Sequence, residues 1–533
     1  MLHKSFWDLF LNKIREISGA HFLLLFLIIP AQIFAQTNTN GATNPLIWAD
    51  VPDMSMIRVG ENYYMSSTTM HMNPGVPIMK STDLANWEII SYAYNKLEDI
   101  DATLLKNGKE MYGSGTWASS LRYHEGTFYL STFSSTTGKT YIFTTTDIED
   151  GNWTQHSFER SLHDHTLVFE DDKIYMIWGS GTLRIIELKK DLSGIKPETE
   201  QVFIENATAP SGDDIMLPAE GSQLFKVNGK YYLFNISWPR DDMRTVIVHR
   251  SDSLMGPYEG RVVLKDRGIA QGGLIDTPEG DWYAYLFRDY GSVGRIPYLT
   301  PVSWEDGWPV LGIDGVVPDT LKNLPKNTGL KPGIVASDDF EREKGEADLP
   351  LVWQWNHNPL EKYWSLTDRP GYLRLINDRS DDTFLTTRNT LTQRTIGPTS
   401  TGEVALDISS LKDGDVTGLG ALQANYGYIA VKKEDGETSI IMAKGTPEEG
   451  EHIVESAPLD QNVVHLKADL DFEDLRDIGT FSYSLDGDEW KQLGNELEMS
   501  YTLPHFMGYR FALFNYATES AGGYADFDYF EIY

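Results

Sequence analysis

Residues 50–68 read DVPDMSMIRVGENYYMSST, and a version of the central part returns four more times before residue 290. The copies are IRVGENYYMSS, LRYHEGTFYLS, VFEDDKIYMIW, FKVNGKYYLFN and DTPEGDWYAYLF, each an apolar run holding a tight turn and an aromatic pair. The second aromatic of each is Tyr64, Tyr129, Tyr175, Tyr232 and Tyr283, at spacings of 65, 46, 57 and 51 residues. Periods of this size mark arrays in which every unit is a small antiparallel sheet unable to bury its faces alone. Five such sheets predict an all-β fold, a five-bladed β-propeller over residues 44–312, where short β-branched and aromatic runs are broken by Gly, Asn, Asp and Pro.

About a dozen residues before each tyrosine stand Asp53, Trp117, Asp164, Glu220 and Gln271. The first strand of every propeller blade lines the central channel, so residues at one phase of the repeat converge on one axis. Three of these five are carboxylates, in a chain where acids are 78 of 533 residues. Three acids in one axial pocket predict acid/base chemistry; turn acids at blade entrances are the competing reading. Asp83, Asp147, Asp191 and Asp252 each follow a strand and open a turn, and these are expected to be structural.

Residues 1–35 carry Lys4, Lys13 and Arg15, then the apolar run FLLLFLIIPAQIFA, ending at Ala35 before a polar stretch. That order predicts a cleaved signal peptide, with an uncleaved anchor as the other reading, and either way export to the periplasm or the outside. The chain has no cysteine. Stability must therefore come from burial and sheet hydrogen bonding, and a lipid-modified cysteine, a thiol nucleophile and an iron–sulfur site are excluded. The formal net charge of −33 argues against nucleic acid or anionic membrane as partners, since phosphate binding needs basic patches. A neutral polymer is compatible. The sequence does not fix the oligomeric state.

Taken in order, PDMSMIRVGENYYMSST, TWASSLRYHEGTFYL, LHDHTLVFEDDKIY, LPAEGSQLFKVNGKYYLF and GGLIDTPEGDWYAYLF followed by GRIPYLTPVSWEDGWPV resemble glycoside hydrolase family 43. The resemblance implies a five-bladed propeller that removes terminal arabinofuranosyl or xylosyl units from plant polysaccharides and oligosaccharides with inversion, needing no cofactor for the chemistry. It implies Asp53 as general base, Glu220 as general acid and Asp164 as the acid that orients and tunes its partner. An inverting enzyme needs its two carboxyls about 6.5–9.5 Å apart, to leave room for water; a third anion nearby would keep the general acid protonated. Substrate contacts are expected from Trp48, His71, Trp117, Trp238, Gln271 and Arg295, indole faces stacking on sugar rings and the guanidinium, which matches the family's substrate-binding arginine, donating to hydroxyls. Trp178, inside MIWGS, is expected in the core.

The family's usual PDPS is PDMS here and WAP is WAS, changes of loop stiffness rather than chemistry. Gln271 stands where many relatives have a histidine on the channel floor, which puts a central metal in doubt. His163 and His165 flank Asp164 at strand spacing, which predicts both on the face opposite to it; a zinc pair there lacks further ligands in sequence. A non-catalytic sugar-binding propeller would keep the aromatics and Arg295 without needing Asp53 and Glu220, while an invertase-type fructosidase should show a Glu-Cys pair that a cysteine-free chain cannot have.

Residues 313–337, rich in Gly, Pro and Asn, read as an extended crossing linker. From 338 to 533 alternating strands and turns such as Asp486-Gly487 predict a β-sandwich, resembling the concanavalin-like C-terminal domain of xylosidase-type members. It is expected to pack on the propeller and to wall the active site, an independent sugar-binding role being the alternative. Asp339 and Asp528, near its first and last strands, are the candidates for a structural calcium.

Overall fold

Every copy of the repeat folds as a four-stranded antiparallel sheet, with its tyrosine on the second strand. In this computed structural model, which describes residues 41–343 and 347–533, blade I is Ser55–Val59, Asn62–Ser66, Gly75–Ser81 and Glu88–Tyr94. Blade II runs from Ser120–His124 to Thr154–Phe158, blade III from Thr166–Glu170 to Gln201–Ile204, blade IV from Ile215–Val227 to Glu259–Leu264, and blade V from Ala270–Asp276 to Trp308–Leu311. The expected signal segment, 1–35, lies outside the described residues. The ring closes where the chain before blade I runs along the third strand of blade V: Leu46 N–H donates to Pro297 O (2.8 Å) and Val51 N–H to Arg295 O (3.0 Å). Asn44 reinforces this by both donating to and accepting from Leu299.

Three of the four turn acids do what their position predicts. Asp83 accepts from the backbone of Ala85 and Asn86, Asp147 from Glu149 and Asp150, and Asp191 from Ser193. Asp252 differs: it pairs with Lys230, and Ser251 caps that turn instead. Trp178 is buried, with the Arg160 guanidinium over its ring.

After blade V the linker pairs Thr320–Leu321 with Ala42–Thr43 and then passes blade I, where Gly333 O accepts from Ile89 N–H. The sandwich that follows has two sheets. Val463–Asp471 shows why one of them faces water: its residues alternate between buried and half-exposed, the period-two pattern of a strand covered on one side. Arg510–Ala517, central in the other sheet, is buried on both sides. That second sheet does not end within the sandwich. Its last strand is Met72–Asn73, a piece of blade I paired with Gln354–Asn356.

The seam between propeller and sandwich is therefore built of backbone as well as side chains. The largest cluster of buried apolar residues runs from Met54 and Phe287 of the propeller into Leu391 and Phe527 of the sandwich. Gly508 N–H donates to Asp50 (3.0 Å), Tyr509 N–H to Ser292 O (2.9 Å), and Arg394 reaches the backbone carbonyl of Asp50. At Gly508 a Cβ would stand 2.1 Å from Val293 O, so only glycine permits this approach.

Three imidazoles are sealed into the same seam. His71, His357 and His505 are each at most 2 % exposed, with His505 stacked on Tyr112 at 4.1 Å and His71 5.1 Å from His357. His357 Nε2 accepts from Met111 N–H, which fixes it as a neutral ring. Burial lowers all three, His357 and His505 to about 3. The folded state thus binds fewer protons than the unfolded chain between about pH 3 and the ordinary histidine value near 6.5, so stability is full above that value and falls as pH drops below it. The melting temperature is expected to decline from pH 7 to pH 5. His505→Phe, which keeps a ring on Tyr112 and removes one titrating group, should flatten that decline; equal slopes for the two proteins would refute the role.

Candidate active site

The five residues picked out by repeat phase sit at or just inside the mouths of the first strands, and the backbone there departs from strand geometry. Asp53, Asp164 and Gln271 have φ of 51°, 48° and 51°. This left-handed conformation is one that Asp tolerates better than most residues and that costs of order 1–3 kcal/mol when the surroundings enforce it. Glu220 lies within a strand whose register shifts on both sides of it, and Gly221 (φ 66°) follows. A Cβ on Gly221 would meet the Gln271 side chain at 2.8 Å. Each irregularity turns a side chain inward at the channel mouth.

Together they line a cavity of about 420 Å³ with Asp53, Asp164, Glu220, Trp117, Trp238, Gln271 and Arg295 on its wall, at the small end of the range for small-molecule sites. A larger cavity of about 580 Å³ at the propeller–sandwich seam holds none of the three carboxylates, and chemistry rather than size locates the site. Trp48 and His71 are not on this wall, contrary to expectation. Trp48 lines a separate surface cavity beside Trp87 and Gly397, and His71 belongs to the seam cluster, because the loop carrying it turns away to supply the Met72–Asn73 strand.

Asp53 accepts from Arg295 Nη1 at 2.7 Å, both buried. Burial lifts Asp53 above the ordinary carboxylate range, Arg295 pulls it back toward the charged form, and Asp50 pushes it up again. Asp50 was not singled out in the sequence. It accepts from the backbone N–H of both Arg295 and Gly508, and so fixes the arginine's strand and the sandwich loop at once.

Asp164 accepts from Gly221 N–H at 3.1 Å. Burial raises it to about 7, opposed by His163 and reinforced by Glu220 and Asp53. His163 is the main correction to strand alternation. Because Asp164 is left-handed and the first strand of blade III begins only at Thr166, His163 does not share a face with His165. It enters the cavity, Nε2 standing 3.2 Å from Glu220 and 3.8 Å from Asp164. His165 is buried elsewhere, bonded to Leu162 O and Ser131. A His163–His165 zinc pair is thereby ruled out by geometry.

Among the described residues, only His163, Asp164 and Glu220 bring three such side-chain atoms within 4.8 Å. Within this cluster the imidazole stands at hydrogen-bond distance, 3.2 Å, from Glu220. Asp339 accepts from Glu341 N–H, and Asp528 stands near Arg369 and His465. Further along the channel Arg122 spans the axis, bonding to Ser55 of blade I, Thr166 and Leu167 of blade III and Gln223 of blade IV. A guanidinium from blade II thus ties blades I, III and IV together.

The far wall comes from the sandwich: Tyr501, Leu503 and Phe506. Phe506 stacks on Trp117 (5.3 Å, 21°), lies under the Arg295 guanidinium (4.6 Å), and its carbonyl accepts from Arg295 Nη2. Sequence pattern predicted a wall but not its residues, since nothing in YTLPHFMGY carries the propeller's repeat. Among the described residues, Trp117 Nε1, Arg295 Nε and the Tyr501 hydroxyl are buried with no protein hydrogen-bond partner.

The comparisons with known proteins agree with this chemistry. The profile of glycosyl hydrolases family 43 matches residues 42–309, and that of the β-xylosidase C-terminal concanavalin A-like domain matches 337–533. A solved structure of a bifunctional GH43-CE protein of Bacteroides eggerthii is 62% identical with a TM-score of 0.91; the match covers 93% of this chain and 64% of that one. A β-xylosidase of Formosa agariphila is 28% identical over 91% of this chain and 89% of its own length. A non-reducing end α-L-arabinofuranosidase of Bacteroides ovatus is 30% identical over 62% of this chain and 64% of its own length. The chain belongs to glycoside hydrolase family 43, and it is a glycoside hydrolase acting on a carbohydrate substrate.

Proposed function

We propose that the protein removes terminal β-xylosyl units from xylo-oligosaccharides and xylan side chains with inversion at the anomeric carbon. The observation that carries this reading is the convergence of Asp53, Asp164 and Glu220, from three blades, on one cavity walled by the sandwich. Glu220 gives its proton to the glycosidic oxygen as the C–O bond breaks, and Asp53 takes a proton from the water that attacks from the opposite face. Arg295 holds Asp53 in place, and Asp164, held by Gly221 N–H, stands in one cluster with the acid. The wall at Tyr501–Phe506 limits entry to a chain end. Relatives matching nine-tenths of the chain bear β-xylosidase names; the arabinofuranosidase relative supports terminal α-L-arabinofuranosyl units as the second reading. The order of basic and apolar residues before Ala35 supports export.

Turnover of paranitrophenyl β-xyloside should exceed that of the α-arabinofuranoside, and proton NMR of xylobiose hydrolysis should show α-xylose first. First-formed β-xylose would remove the water-activating role from Asp53, and a preference for the arabinofuranoside would select the second reading.

A further inference from the structure

Resting on the assignment of Glu220 as general acid, we propose that the acid is a pair: His163 shares one proton with Glu220, supplies it for leaving-group departure, and returns the carboxylate to its acid form afterwards. The geometry is specific to this pair. His163 Nε2 faces Glu220 Oε2 at 3.2 Å and is further, at 3.8 Å, from Asp164. Its ring is held edge-on by Trp117 (6.1 Å, 62°) and Phe133 (5.4 Å, 75°), so it cannot turn freely from Glu220. The side chain keeps 38% exposure, which leaves it a path to solvent that the buried Asp164 lacks.

The charged groups around His163 are named by the same cavity. Asp164 precedes the first strand of blade III, Glu220 comes from blade IV and Asp53 from blade I; Arg295, Arg244 and Asp289 lie on the wall, and His165 is buried behind. Burial disfavours the imidazolium, but Asp164, Glu220 and Asp53 outweigh it and raise His163 to about 9. The pair therefore retains its proton across neutral pH. Before substrate enters, the proton sits on the imidazole opposite a carboxylate. Substrate displaces water from the cavity, the lower dielectric disfavours two separated charges, and the proton passes to Glu220, leaving neutral imidazole and carboxylic acid. Glu220 then protonates the glycosidic oxygen, the C–O bond breaks, and the water that forms the new bond to the anomeric carbon loses a proton to Asp53. Glu220 is left as carboxylate. The imidazole takes a proton from solvent and the pair is restored, while Asp53 releases its own, so the sum is hydrolysis alone.

His163→Asn and His163→Ala test this with two substrates. Xylobiose, whose leaving group needs protonation, should lose at least about 10-fold in kcat with KM little changed, whereas 2,4-dinitrophenyl β-xyloside, whose leaving group does not, should lose less than about threefold. The basic limb of kcat/KM on xylobiose should move to lower pH, because a carboxyl alone releases its proton earlier than an imidazolium. Added imidazole should restore part of the xylobiose activity of His163→Ala. Equal losses on both substrates with an unmoved basic limb and no rescue would overturn the pairing. Glu220→Gln separates the two assignments: if it keeps xylobiose activity, the general-acid reading itself fails; if it loses that activity while His163→Asn behaves as wild type, only the pairing fails. Circular dichroism and melting temperature confirm folding of each variant, and if His163→Asn is unfolded, His163→Gln with the same two substrates decides.

Discussion

Asp53→Asn and Glu220→Gln are each expected to lower kcat on xylobiose by about 10³-fold or more, and to differ in every other respect. Positioned acid/base groups contribute about 10²–10⁴-fold each. An activated aryl xyloside needs no proton on its leaving group, so Glu220→Gln should recover most of its rate on that substrate; Asp53→Asn should not, since water must still be activated. Their stabilities should separate too. Asp53 is the carboxylate partner of a guanidinium only 5% exposed, and neutralising one member of a buried pair leaves the other charge uncompensated, a loss of about 3–5 kcal/mol when no other group takes over. The carbonyl of Phe506 still accepts from Arg295 Nη2, which makes the lower figure the expectation. Glu220 has a side chain 17% exposed and a histidine beside it, so Glu220→Gln should melt close to wild type. Near-native turnover of xylobiose by either variant would end the assignment, as would an Asp53→Asn protein that recovers on the aryl substrate.

Those two residues were legible because propeller geometry converts sequence period into spatial convergence. A residue a fixed distance before each repeat tyrosine must approach the axis, whatever its neighbours, and Asp53, Trp117, Asp164, Glu220 and Gln271 all do. Arg295 was legible through the resemblance, as the family's substrate-binding arginine, and Trp238 as an indole able to stack on a sugar ring; both line the cavity. What was not legible lay where the period is interrupted. His163 was assigned to the wrong face because alternation presumes extended backbone, and the left-handed Asp164 cancels it. His71 and Trp48, expected around the carboxylates, lie off the cavity wall, because the His71 loop supplies the Met72–Asn73 strand and Trp48 lines a separate cavity. The function of Asp50 as a clamp appears only when Arg295, 245 residues later, and Gly508, 458 residues later, are seen to donate to it. The sandwich residues at the site have no sequence signal within one chain, since a wall contributed by a second fold obeys none of the propeller's periodicity.

That wall leads to the other large effect. Removing the sandwich, by expressing residues 36–335, is expected to give protein that is insoluble or melts far below the whole chain and is inactive on xylobiose. The propeller would lose the apolar cluster it shares with Leu391 and Phe527, and several hundred square ångströms exposed at about 25 cal/mol per Å² is comparable to a domain's whole net stability. It would also leave a free edge at Met72–Asn73, which is paired only through Gln354–Asn356. Chemistry fails for a separate reason: Asp50 loses Gly508, Arg295 loses the Phe506 carbonyl, and Trp117 loses the ring stacked on it, so the group that orients Asp53 is released. Gly508→Ala examines the same seam in the whole chain. Its new Cβ would stand 2.1 Å from Val293 O and must push the sandwich loop off the propeller. Activity should then fall more steeply than melting temperature, because Asp50 loses its bond to Gly508 and Phe506 moves with that loop while most of the seam remains. A truncated propeller that is soluble, equally heat-resistant and fully active, together with a Gly508→Ala protein of unchanged kcat, would show that the sandwich takes no part in the site.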